Sequence, residues 1–81
     1  MAKTFPVTVA SVGETLFSEE ARSVTAPGAS GEFTALPHHE PFVSTLKAGT
    51  VRIVDGGGEV HEFPVKQGIF ETSGATATVL L

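Results

Sequence analysis

Apolar residues recur at every second position along this chain, and a glycine or proline interrupts almost every run. Period-two alternation puts successive side chains on opposite faces of an extended backbone, one face for a core and one for water. In "TFPVTVAS" Phe5, Val7 and Val9 share one side and Thr4, Pro6 and Thr8 the other. "TVRIV" sets Val51 and Ile53 against Arg52, "VHEFPVK" aligns His61, Phe63 and Val65, and "ATATVLL" aligns Ala75, Ala77, Val79 and Leu81. No stretch of helical length carries apolar residues at i, i+3, i+4 and i+7 free of breakers, so essentially no helix is predicted.

The breakers divide the chain into short strands. Further strands are predicted over "ETLFS" (Glu14 to Ser18) and "ARSVTAP" (Ala21 to Pro27), with Glu19 and Glu20 as a solvated start to the second. "PGASG" is a turn, "EFTAL" alternates through Phe33 and Ala35 until Pro37 stops it, and "PFVSTLKAG" packs Phe42, Val43 and Leu46. "DGGGE" at 55–59 is a hairpin signal, and a last hairpin turns at Ser73 and Gly74. Eight to ten short strands make an all-β fold, a small antiparallel sandwich or flattened barrel. Val7, Val9, Phe33, Val51, Ile53, Phe63, Ile69 and Val79 are expected to be mostly buried, so that Phe33→Ala or Phe63→Ala alone would largely unfold the domain.

The 81 residues allow one domain, spanning 1–81, without linker or internal repeat. A chain this short buries only about 60–65% of its unfolded surface, so its core is thin. The absence of cysteine excludes disulfides and thiolate metal sites. Five scattered basic residues against nine acidic ones, a net charge of −4, argue against nucleic acid as a partner. No uncharged run is long enough to span a membrane, and "MAKTFPVTV" lacks the apolar stretch of a signal peptide. A cytoplasmic or peripheral protein is expected.

Chemistry is thinly signalled. His38 and His39 are adjacent, and successive residues of an extended chain point apart, so they are poorly placed to chelate one ion. A zinc site would need the fold to bring His61 or Glu40 close, which the spacing does not force, and His61 reads more simply as a half-buried strand residue. No metal, cofactor or catalytic residue is therefore expected: there is no Gly-x-Ser-x-Gly elbow, no cysteine nucleophile, and no Gly-Lys-Ser after the triple glycine. Function then rests on loops. Pro37 and Pro41 stiffen the corner "PHHEP", which presents His38, His39 and Glu40 at low entropic cost, as a docking corner requires.

"APGASGEFTALPHHEPFVSTLKAGTVRIV", followed by a hairpin, "VKQGIFET" and "TVLL", resembles the epsilon subunit of bacterial rotary ATP synthases, and "VTVASVGETLFS" resembles its first hairpin. The resemblance runs from about Phe5 to Leu81. It implies a ten-stranded sandwich on the central stalk, a rotor subunit docking gamma onto the membrane c-ring and supporting the coupling of proton flow to ATP synthesis. It implies contact of Ser30, Gly31 and Glu32 with the polar loops of the c-ring, and of Ser11, His38, His39, Glu40 and Ser44 with gamma. By resemblance the protein is a non-catalytic, peripheral component at the cytoplasmic face of the bacterial inner membrane. Family members usually carry glycine where this chain has Thr34 and His38, so either residue needs a negative φ or carries backbone strain. Most also continue into a C-terminal helical hairpin; this chain is expected to be a complete short form without it. The alternatives are an unrelated β-sandwich adaptor and a histidine-based metal-binding domain.

Overall fold

The computed structural model describes residues 3–81. Eight strands follow in chain order: β1 (Phe5–Ser11), β2 (Glu14–Gly28), β3 (Gly31–Ala35), β4 (Phe42–Leu46), β5 (Gly49–Asp55), β6 (Val60–Val65), β7 (Gly68–Thr72) and β8 (Ala77–Leu80). Among the described residues there is no helix. Hydrogen bonding runs β1-β8-β7-β4-β2-β5-β6, with β3 on β2 and β1 also paired with β2. All pairs are antiparallel except β1 with β8.

β2 makes two layers out of this one ladder. Fifteen extended residues would reach ~50 Å, but the longest dimension of the molecule is 34 Å. The strand therefore folds over, at a register shift between Ala21 and Ser23 that bulges Arg22. Its buried positions change parity there, from Phe17 and Ala21 to Val24 and Ala26. The first half pairs with β1; the second pairs with β5 and β3. Rings meet across the interior, Phe17 with Phe63 at 6.1 Å and Phe33 with Phe70 at 5.0 Å.

The two strands expected over Glu14 to Ser18 and Ala21 to Pro27 are thus one bent strand, and Glu19 and Glu20 lie within it, opposite Val7 and Pro6. Val7, Val9, Val51, Ile53 and Val79 are buried as expected, while Phe33 and Phe63 are half-buried against the same core. Ile69 is not a core residue: it is 46% exposed, and Phe70 takes the inward position at 0%. The β7–β8 register explains this, because Phe70 stands opposite buried Val79 and Ile69 opposite exposed Leu80. Val43 likewise faces outward, at 67% exposure, opposite Glu71.

Candidate functional site: the two ends of the sandwich

The register sorts the loops into two groups. Ser11 pairs with Glu14, Ala10 with Leu80, Leu80 with Ile69, Gly68 with Leu46, and Leu46 with Gly28, which pairs with Gly31. Ser11, the chain end at Leu81 and the β2–β3 turn therefore share one end. The loop between β3 and β4, the β7–β8 turn and the β5–β6 turn belong to the other.

At the first end, Ala29 N–H donates to Thr45 O and Lys47 N–H to Pro27 O, both at 2.9 Å, so the β2–β3 hairpin is braced against β4. Its tip is Ala29 and Ser30, followed by Gly31 with φ +138, and Ser30, Gly31 and Glu32 are all exposed. Glu32 lies one residue into β3, opposite Pro27, with its carboxylate on the surface. The three residues expected to touch a c-ring are thus brought together.

The corner 36–41 lies at the second end, held to the β7–β8 turn. His38 N–H donates to Gly74 O at 2.8 Å and His39 N–H to Leu36 O at 3.2 Å. A Cβ on Gly74 would lie 2.6 Å from the His39 carbonyl, so only glycine admits this approach. Thr72 Oγ1 builds the turn, accepting from Gly74 N–H at 3.0 Å and donating to Thr76 O at 2.9 Å. The His39 ring meets Phe42 edge-on at 6.0 Å, and Phe42 touches Phe33 and Phe70, so the corner connects to the core through aromatic rings. His38, His39 and Glu40 are exposed, whereas Ser44 is half-buried in β4 with Oγ donating to Thr45 O. Ser11, at the opposite end, does not join them.

Of Thr34 and His38, the two residues expected to stand where glycine is usual, one is strained. His38 has φ 63, the left-handed region that L side chains enter at about 1–2 kcal/mol. Thr34 has no positive φ and its hydroxyl pairs with that of Thr25 at 2.9 Å. His38→Gly relieves the strain but frees the unfolded chain by about 0.4–1 kcal/mol. The expected result is a small rise in the thermal midpoint, a few degrees at most, with a clear fall for His38→Val.

Composition hid a third feature, at the β5–β6 turn. Asp55 Oδ1 accepts from the N–H groups of Gly57 and Glu59, both at 2.9 Å, and Oδ2 lies 2.8 Å from His61 Nε2. The hydrogen bond to His61 and those from the two amides hold the Asp55 carboxyl below its ordinary value of 3.8. The same bond raises His61 above its ordinary 6.5, against an opposing effect of partial desolvation. A raised histidine contributes stability at pH below its unfolded value, lost as pH climbs through the folded one. A lowered aspartate contributes above its unfolded value, lost as pH falls through the folded one. In chelator-treated buffer, stability from this pair should peak between roughly pH 4 and 6.5, and His61→Gln should flatten that peak in urea midpoints measured against pH. Glu59 completes a group of three with Asp55 and His61, whose nearest ligand atoms all lie within 4.8 Å of one another. The signal was available: Asp55 and His61 flank the glycine turn, and an antiparallel hairpin brings its flanks together.

Comparison with known proteins matches residues 4–81 to the model of the family described as ATP synthase, Delta/Epsilon chain, beta-sandwich domain. The chain is 39% identical over 80 residues to an ATP synthase epsilon chain of Hyphomonas neptunium and 42% identical over 77 residues to one of Bordetella petrii. It covers 59% and 55% of those relatives while 99% and 95% of its own length is aligned, so it spans little more than half of either. Its fold is similar to a chain in the Euglena gracilis mitochondrial ATP synthase OSCP/F1/c-ring structure, with TM-score 0.87 and 19% identity over 95% of this chain and 49% of that one. A chain of the Tetrahymena thermophila mitochondrial ATP synthase central stalk/c-ring structure gives TM-score 0.78 and 14% identity over 96% and 63%.

Proposed function

Since the chain belongs to the ATP synthase delta/epsilon-chain β-sandwich family, we propose that it is a non-catalytic rotor component of a proton-transporting ATP synthase. In this reading it docks gamma onto the c-ring, supports coupling of proton flow to ATP synthesis, and lies peripherally at the cytoplasmic face of a bacterial inner membrane. The observation that carries it is the family match over nearly the whole chain, with identities near 40% to bacterial epsilon chains.

The geometry supports a division of labour. Ser30, Gly31 and Glu32 form a protruding tip braced by β4, suited to the polar loops of the ring. Ser11 at one end and His38, His39 and Glu40 at the other would then meet gamma from the two ends of one layer, with Ser44, half-buried opposite inward-facing Phe70, reached only from its margin. The outer face of that layer exposes Val43, Ile69 and Leu80, apolar area that a partner would remove from water.

Glu32→Lys tests the ring contact. An exposed ion pair adds only about 0–1 kcal/mol, but reversing a charge adds repulsion to the lost attraction and misorients the docked surfaces. In membrane vesicles reconstituted with each variant, Glu32→Lys should lower ATP-driven proton pumping more than ATP hydrolysis, with Glu32→Gln milder. An unchanged pumping-to-hydrolysis ratio at low salt, where screening is least, would remove Glu32 from the contact.

A further inference from the structure

We propose that Asp55, Glu59 and His61 form a three-ligand site for a divalent transition ion, zinc being the best match, at the base of the β5–β6 hairpin. The imidazole is what separates this group from an ordinary acidic surface. Spacing alone gave no reason to expect a metal at His61, but the hairpin carries one imidazole nitrogen and two carboxylates to within 4.8 Å of one another.

Two of the three ligands are held in position by their surroundings. Asp55 is 8% exposed, and the amides of Gly57 and Glu59 occupy its Oδ1, so Oδ2 remains for an ion. Such hydrogen bonds to the far side of a ligand fix its orientation and are the usual support of a metal site. The His61 ring is steadied by Phe17, with centroids 5.0 Å apart. Glu59 is exposed, so its carboxylate is free to rotate inward.

The Asp55–His61 separation suits zinc, and Glu59 closes the remaining distance by rotating. With metal–ligand bonds of about 2.0–2.1 Å, tetrahedral ligands lie ~3.3 Å apart. Asp55 Oδ2 and His61 Nε2, at 2.8 Å, would separate by about half an ångström as the ion replaces the hydrogen between them. Glu19 and Glu20 border a shallow cavity together with Asp55 and Glu59 and add negative potential there. Arg22 donates to the carbonyl of Gly56 at 3.1 Å. One imidazole with two carboxylate ligands favours zinc over magnesium or calcium, which take more oxygens. A water would fill the fourth position.

The test is calorimetric titration of the chelator-stripped 81-residue protein with zinc chloride near neutral pH, with magnesium chloride as control. One-to-one zinc binding with a dissociation constant of roughly 10 μM or tighter is expected, weakening on acidification and absent with magnesium. Saturating zinc should raise the thermal midpoint by roughly 10 °C. His61→Gln and Glu59→Gln should each weaken binding at least tenfold, and a His38→Ala, His39→Ala double variant should retain it. Glu59 is exposed, so Glu59→Gln remains informative even if His61→Gln fails to fold. No saturable zinc binding, binding untouched by Glu59→Gln, or binding lost with His38 and His39 would each overturn the proposal.

Discussion

Phe70→Ala leaves the domain largely unfolded at room temperature. Phe70 is fully buried at the centre of β7, opposite Val79, and its ring touches both Phe33 and Phe42. Truncating a buried phenylalanine costs about 3–5 kcal/mol, lost transfer energy plus the cavity left behind. A single core in a domain of this size supplies roughly 3–5 kcal/mol in total, so one substitution consumes most of it. Phe33 and Phe63, half-buried, should cost less than their full burial would have implied. Ile69→Ala, one residue away on the outward face, should shift the urea midpoint little. The chain has no tryptophan or tyrosine, so the measurement is far-ultraviolet circular dichroism or methyl dispersion in proton NMR. A folded Phe70→Ala beside an unfolded Ile69→Ala would mean that the β7 register is wrong.

Gly68→Val is the second large effect. A Cβ at Gly68 would run into the carbonyl oxygen of Leu80, with Leu81 Cα at 3.5 Å. These are backbone atoms of the paired strand, with no flexible tip to swing away. Overpacking of this kind costs about 1–3 kcal/mol, and pushing strands apart adds ladder hydrogen bonds to the loss. The urea midpoint should fall markedly. Hydrogen exchange should quicken first at Leu81, whose amide donates to Ala10 O at 2.9 Å. Unchanged protection there would show that β8 does not pack so closely on β7.

The legible parts of the fold were those where alternation had one reading. Val51 and Ile53 flank Arg52, so the inward face of β5 followed from the sequence, and the extended backbone then fixed the rest of that strand. β7 offered no such choice, because Ile69 and Phe70 are both apolar and only pairing with β8 decides which turns inward. The bend in β2 was invisible because a bulge at Arg22 needs neither glycine nor proline, and only the change of parity between Ala21 and Val24 marks it. At the candidate sites, the Ser30 to Glu32 tip was readable from its glycines and prolines. The strain at His38 followed only from resemblance, since a histidine carries no sign of the left-handed backbone it adopts.

The rotor role is tested most directly by electron cryomicroscopy of an ATP synthase assembled with this chain in place of its own epsilon sandwich. The expected map has the domain on the central stalk, the Ser30–Glu32 tip against the c-ring loops, and the layer of β1, β8, β7 and β4 along gamma. A complete enzyme with no density for the domain on the stalk, or with that tip turned away from the ring, would contradict the account.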